Sequence, residues 1–438
     1  MRKTSGKKAR TVQQNMLFNT VGSLIYYVCQ WLMSVIIVRL SGFGEAGLLS
    51  LAMSATAAPA IIGLFNVRSY QVSDMNGQYT DKEYMRSRAY TNILSVIACL
   101  AVVLYYGYSL EKAVIIMTFM GFKVVEGMAD VYYGIYQKNE RMDYAGISLT
   151  VRGIGSLVIF FGTFIISSNL LVGLGTIFPS FYTSPTLYVT ARLLLSIVAM
   201  SLFSLAVVII YDRRIIKGYQ VKEAEDKTVM RRQVKSLLIT CFPLAVVAFL
   251  NNMSLTIPKL YLEQYFGEEV MGIYSSVASP TIVIQLAATT LFAPMIPPLT
   301  VEFNNGNKKN FLGGLKKFVL LIAAITVAAL IGSKLLARWG LVLLFGTEIE
   351  PYVYLFIPVI IISILIAINA SMFSVCTLIR EIKSQYVIGA FGILTAVVGS
   401  VTIVKEYSME GVIWALAATL LVQILIQFII IYKKVRKM

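Results

Sequence analysis

The chain has 438 residues, 58% of them hydrophobic and 14% charged, with a formal charge of +16 and no histidine. Soluble domains carry roughly 25% charged residues, so this composition excludes a water-soluble globular protein and implies one embedded in a membrane. The basic excess is scattered over many short loops, which excludes a nucleic-acid-binding surface as well.

A helix rises about 1.5 Å per residue and the hydrocarbon core is about 30 Å thick, so about 20 apolar residues make one crossing. After the basic tail MRKTSGKKAR, the segments of that length are 14–38, 47–72, 89–107, 113–136, 146–167 and 187–210. Then come 237–258, 271–299, 312–333, 352–378, 386–404 and 411 to about 430. The predicted fold is therefore all-α and polytopic, with about twelve transmembrane helices in two six-helix lobes around a central cavity. Segment 335–346, LLARWGLVLLFG, is too short to cross and is expected to be interfacial or re-entrant. No run shows the ten-residue alternation of a membrane β-barrel. No small-residue cleavage site follows a short apolar core at the N-terminus, so the first apolar run is kept as a span.

Alternating the twelve spans from a cytoplasmic N-terminus places 28 Lys and Arg in cytoplasmic stretches and 6 in external loops. The positive-inside rule then puts both termini on the cytoplasmic side of the membrane. The absence of histidine removes the usual imidazole ligands and the usual proton carrier near pH 7. Cys29, Cys99, Cys241 and Cys376 lie in apolar segments without C-x-x-C spacing and read as small buried hydrophobes. No glycine-rich phosphate loop ending in Lys-Ser/Thr occurs, so nucleotide hydrolysis is not expected. These features predict neither an enzyme nor a metal or cofactor site.

The longest charged stretch, 211–236, divides the chain into an N-terminal lobe, 1–210, and a C-terminal lobe, 237–438. An internal echo supports the division: FGEAGLLSLAMSATAAP at 43–59 and FGEEVMGIYSSVASP at 266–280 each follow the first span of their half, with a small insertion in the match. Halves with six spans each have the same orientation, so they are expected to be parallel repeats suited to alternating access.

Ionisable residues within spans are costly and mark wet cavities or partners. They concentrate in the first half: Arg68, Lys123, Glu126, Asp130, Arg152 and Arg192, with Arg39 at the outer end of the first span. Lys123 and Glu126, three residues apart, are placed to pair. Two readings stand beside each other. The cations Arg39, Arg68, Lys123, Arg152 and Arg192 line a net-cationic cavity that receives an anionic group, for which Arg is suited by its bidentate fork. Alternatively, Arg68 and Arg152 reach to the cytoplasmic interface and Arg192 to the outer one. Glu126 and Asp130 are candidates for ion pairing or coupling. Pro280 and Pro294, in the eighth span, are candidates for a gating bend. Tyrosines at span ends, such as Tyr26, Tyr105 and Tyr132–Tyr133, are expected to anchor at the interface.

The stretch 38–74, VRLSGFGEAGLLSLAMSATAAPAIIGLFNVRSYQVSD, resembles the first-to-second-span signature of polysaccharide flippases of the multidrug/oligosaccharidyl-lipid/polysaccharide (MOP) exporter superfamily. The stretch 258–280, PKLYLEQYFGEEVMGIYSSVASP, resembles the seventh-to-eighth-span signature, although Lys259 and the cluster Glu263, Glu268 and Glu269 depart from it. The resemblance implies a transporter that flips a polyprenyl-pyrophosphate-linked oligosaccharide from the cytoplasmic to the outer leaflet for O-antigen or capsule assembly. It implies as partners that anionic lipid-linked oligosaccharide, membrane lipids, and polysaccharide polymerase and glycosyltransferases. It makes Arg68, Arg152 and Arg192 candidates for pyrophosphate or acidic-sugar contacts. The alternatives are a cation-coupled multidrug exporter of the same superfamily, a lipid II flippase, and a membrane-embedded glycosyltransferase or polymerase.

Overall fold

The computed structural model describes residues 12–74, 77–177, 185–217, 227–285, 292 and 295–436. Every regular element among them is helical. In chain order these are α1 (Val12–Ser41), α2 (Phe43–Leu64), α3 (Val67–Ser73), α4 (Asp81–Tyr106), α5 (Leu110–Lys138), α6 (Met142–Ile177) and α7 (Pro185–Val207). A π-helical turn, Val208–Asp212, joins α7 to α8 (Arg213–Lys217). There follow α9 (Lys227–Ala278), α10 (Ile296–Asn304), α11 (Lys308–Phe345), α12 (Phe356–Leu378), α13 (Ile382–Gly399) and α14 (Lys405–Arg436).

Nine segments of the described residues are long and apolar enough to cross a membrane. Two of them, Thr228–Gln285 and Lys383–Arg436, run 58 and 54 residues. Each contains a left-handed break, at Gly267 and Ser408 respectively, and has the length of two crossings. The expected span 113–136 is helical within α5, but its three charged residues, Lys123, Glu126 and Asp130, keep it out of the nine. Part of the expected eighth span, with Pro294, lies outside the described residues.

Two local expectations, on 335–346 and on Lys259, are corrected. Segment 335–346 is not a separate re-entrant element: all but its last residue, Gly346, continues the single 38-residue helix α11. Within the stretch 211–236 the π turn and α8 carry the preceding helix to 217, and helix resumes at 227. Lys259 is not in an external loop but inside α9, half-buried. Each error has one cause: charged residues were taken as span ends, whereas helices here continue through them.

Packing divides the chain into two compact units. The first comprises the N-terminal segment to Met33 and Pro59–Ala245, and the second comprises Ser34–Ala58 and Val246–Met438. The lobes drawn from the sequence follow chain order; the units instead assign 34–58 to the C-terminal half, and 211–245 to the N-terminal half.

In the first unit, Phe65 and Asn66 both adopt left-handed backbone angles and separate α2 from α3. The beginning of α9 packs beside this break: Leu237, Cys241 and Ala245 share a buried cluster with Phe65, Val67, Tyr79 and Tyr84. Asp74 fixes the connection to α4. It accepts the backbone N–H groups of Gln78 (2.8 Å) and Tyr79 (3.1 Å) and the Tyr84 hydroxyl (3.0 Å), with Lys138 Nζ at 3.8 Å. Burial alone would raise its pKa, but these donors and Lys138 outweigh burial and hold it below the ordinary carboxylate range. Thr80 and Glu83 then open α4 with a reciprocal capping box.

In the second unit the two halves of the sequence echo meet. Gly42 (φ +83°) precedes α2, and Gly267 (φ +84°) breaks α9. Aligning these two left-handed glycines brings Gly47 onto Gly272 with no insertion, so the structural register differs by two residues from a match on Phe43 and Phe266. The helices that follow cross in close contact. A side chain at Gly47 would strike the carbonyl of Glu268, and one at Gly272 would strike that of Phe43. Small residues allow such backbone approach between membrane helices. Arg39 closes another helix of this unit: its Nε donates to the Leu344 carbonyl (2.9 Å) and its Nη2 to those of Val342 (3.0 Å) and Leu343. It thereby satisfies the orphan acceptors at the C-terminus of α11.

Replacing Gly272 by Leu is expected to destabilise the protein by about 1–3 kcal/mol or more, while Gly121→Leu, with open space at its Cβ position, is expected to change little. All four cysteines are buried, so thermal unfolding followed by a thiol-reactive dye in detergent reads both variants.

Candidate functional site

Lys123, Glu126, Asp130, Tyr133 and Gln137 recur along α5 at alternating spacings of three and four residues. That period places them on one helical face, and four other elements of the first unit supply partners along it. Lys123 Nζ pairs with Glu126 at 2.7 Å, and the Tyr26 hydroxyl of α1 donates to the same carboxylate. Asp130 holds two guanidinium groups, Arg68 of α3 at 3.2 Å and Arg88 of α4 at 2.7 Å. Arg68 also donates to Gln137 (3.2 Å) and Arg88 to the Gly63 carbonyl. Arg152 of α6 donates from Nη1 to the Tyr133 hydroxyl (3.0 Å) and from Nε to Ser204 (2.8 Å).

The chain of contacts continues beyond α5. The Tyr133 and Ser148 hydroxyls are 3.0 Å apart, and Ser148 donates to Asp212 at 2.8 Å. Asp212 also accepts from the Tyr136 hydroxyl (3.1 Å). It belongs to the π turn after α7, a distortion that often marks functional positions. Lys123, Arg68 and Arg88 pair with the two α5 carboxylates; with Arg152 and Asp212 the network holds four cations and three carboxylates, so it is net positive. Arg88 and Arg152 are fully buried, whereas the side chains of Arg68, Asp130, Lys123 and Glu126 are between 19% and 31% exposed. Arg152 touches no carboxylate; hydroxyls and the Tyr26 ring, 5.7 Å from its guanidinium carbon, surround it, and its Nη2 has no partner.

In the second unit a cluster of neutral amides links the helices. Asn369 of α12 donates to Gln423 of α14 (3.1 Å) and Asn251 of α9 (3.3 Å). Gln427 donates to Asn369 (3.0 Å) and Gln423 to Ser254 (3.1 Å). Such interhelical hydrogen bonds contribute about 0.6–2 kcal/mol each within a membrane.

The structure thus joins Arg68, Lys123, Glu126, Asp130 and Arg152 in one network. Arg192 lies apart from it, over the Phe164 ring at 4.7 Å. Arg39 caps a helix in the other unit. Pro280 sits in a 3₁₀ turn, Ser279–Thr281, that interrupts the helix after Ala278. Tyr26 and Tyr133, expected at the interface, are buried in the seam, while Tyr105 is exposed as an anchor would be. Arg88 and Asp212 went unread as site residues because each was assigned to a cytoplasmic stretch. The signal for Arg88 was the i, i+4 run of polar residues Tyr84, Arg88 and Asn92 into the apolar part of α4. Among the described residues no group of three His, Cys, Asp or Glu side chains is placed to hold a metal.

No family model matches the chain. It is 26% identical over 426 residues to the capsular polysaccharide biosynthesis protein CapF of Staphylococcus aureus, covering 96% of this chain and 99% of that protein. Its fold is similar to that of a multidrug-resistance MATE-family transporter of the MOP superfamily in an inward-facing conformation, with TM-score 0.64, 12% identity, and coverage of 98% of this chain and 99% of that one. A MOP-superfamily transporter from Pyrococcus furiosus, described as having a binding pocket of reverse polarity, matches with TM-score 0.55 and 13% identity over 99% and 98% of the two chains. The molecule therefore has the all-α polytopic membrane fold of MOP-superfamily transporters.

Tyr133→Phe removes the hydroxyl between Arg152 and Ser148 and is expected to cost about 1–3 kcal/mol in stability. Tyr27→Phe, at an exposed neighbouring ring, is expected to be neutral; thermal unfolding in detergent compares the two.

Proposed function

We propose that the protein is an alternating-access exporter that carries a polyprenyl-pyrophosphate-linked oligosaccharide from the cytoplasmic to the outer leaflet for surface polysaccharide assembly. The observation that carries the cargo is the end-to-end likeness to a capsular polysaccharide biosynthesis protein. The net-positive seam of α5 agrees with an anionic head group, which crosses while its lipid tail stays in the bilayer. No covalent step is needed, only two states that cargo or ions bias. With basic loops inside, an inward-negative potential assists outward movement by about 2.3 kcal/mol per charge per 100 mV. Arg68 and Lys123, at the partly exposed edge of the seam, are the residues placed to exchange a carboxylate partner for a phosphate. Arg152 is a positioning residue, since it is sealed behind Tyr26 and Tyr133. Lys259, half-buried in α9 and without an ion pair among the described residues, is the corresponding cation of the second unit.

A second reading is a cation-coupled multidrug exporter. The fold likenesses favour it more directly, because two of the similar structures are multidrug-resistance MATE transporters. Glu126 and Asp130 would then be the coupling carboxylates, although the first predicted span carries none.

A deletion strain decides between them. Lipid-linked oligosaccharide is expected to accumulate in the cytoplasmic leaflet, with wild-type gene restoring export and Arg68→Gln or Lys123→Gln reducing it at least tenfold. Unchanged oligosaccharide export, together with drug sensitivity that the wild-type gene reverses, would establish the multidrug reading instead.

A further inference from the structure

A groove in the first unit lies apart from the polar seam. It encloses about 440 Å³ and is walled by Phe65 at the end of α2, Tyr90 of α4, and Arg231, Lys235, Leu238 and Phe242 of α9. The four α9 residues recur at helical spacings of three and four, so they form one stripe. The stripe is graded along the helix axis. Arg231 and Lys235 stand one turn apart at its start, and the wall beyond them is aliphatic and aromatic. From 231 to 242 the stripe runs about 16 Å at 1.5 Å per residue.

The gradient matches one kind of molecule. The apolar run of α9 begins at Leu237, immediately after the charged stretch, so the two cations stand where the hydrocarbon ends. Both are exposed, and neither forms an ion pair among the described residues. Arg86 of α4 adds a third cation on this side, with its Nη1 3.6 Å from Met230 Sδ. Below them Phe242 is 56% exposed and Tyr90 42%, so the apolar wall is uncovered by the described residues. Basic side chains at this level attract anionic lipid, and the double-cation turn fits a phosphate.

We infer that this groove is a binding site for an anionic glycerophospholipid of the surrounding leaflet. Its phosphate sits between Arg231 and Lys235, and one acyl chain runs along Leu238, Phe242 and Phe65. The lipid would cover the place where α9 begins on the first unit, beside the left-handed Phe65–Asn66 break. A bound lipid there stabilises that packing by mass action. The site is independent of what the protein transports.

Native mass spectrometry of the full-length protein in detergent tests this with dioleoyl-phosphatidylglycerol and dioleoyl-phosphatidylcholine as probes. The wild type is expected to retain phosphatidylglycerol in preference. The Arg231→Gln/Lys235→Gln double variant is expected to weaken that binding about tenfold or more, with phosphatidylcholine binding and melting temperature in phosphatidylcholine unchanged. Arg232→Gln, outside the groove wall, is expected to bind as the wild type does. Equal retention of the two lipids by the wild type would overturn the inference, as would an undiminished preference in the double variant or an equal loss in Arg232→Gln. Displacement of phosphatidylglycerol by an equimolar polyprenyl phosphate would overturn the choice of occupant.

Discussion

A carboxylate placed among membrane helices needs a cation, and in the first unit both carboxylates of the seam come from one helix. Glu126 and Asp130 of α5 draw Lys123, Arg68 and Arg88 to themselves, and Tyr26 and Tyr133 extend the same face to α1 and α6. Isolated, any of these ions would cost several kcal/mol in hydrocarbon. Joined, they tie α1, α3, α4 and α6 to α5 by bonds with direction, which apolar packing between lipid-like side chains cannot supply. The excess of cations over carboxylates leaves the seam able to accept a further negative charge.

The two units solve the same packing problem with different chemistry. The second has neutral amides of Asn251, Asn369, Gln423 and Gln427 where the first has ions, and a close helix crossing at Gly47 and Gly272. Neutral amides hold helices without fixing a charge. The network of buried ion pairs lies in the first unit, while the second buries the carboxylates Glu45 and Glu263 and half-buries Lys259. The shared feature is backbone geometry: a left-handed glycine, then a small residue five positions later, once in each half.

Much of this was legible in the sequence. The all-helical membrane fold follows from composition and the length of apolar runs. Lys123–Glu126 pairing follows from their spacing, and the buried cysteines from their surroundings. The α5 stripe was equally available as a three-four period, but only its ionisable members, Lys123, Glu126 and Asp130, were read as a site. What the sequence did not disclose were long-range partners. Nothing near Asp130 in the chain announces that two arginines, 62 and 42 positions away, converge on it. Arg39 looked like the steering cation of an outer mouth, yet it closes a helix some 300 residues later in the chain. Arg88, Asp212 and Lys259 were hidden by a rule that is sound on average: charge marks the end of a span. Here helices run on through charged positions because the partners that make this tolerable arrive from other helices.

The account rests on the joint hold of α5 carboxylates over distant cations, and a double-mutant cycle on Asp130 and Arg88 tests it most directly. Asp130→Asn alone strands two guanidinium groups and is predicted to cost about 3–5 kcal/mol. Arg88→Met alone is also destabilising, and the double variant is predicted to lose about 2 kcal/mol or more less than the two single losses added together. Additivity within about 0.5 kcal/mol would contradict the seam as the interaction that holds the first unit together.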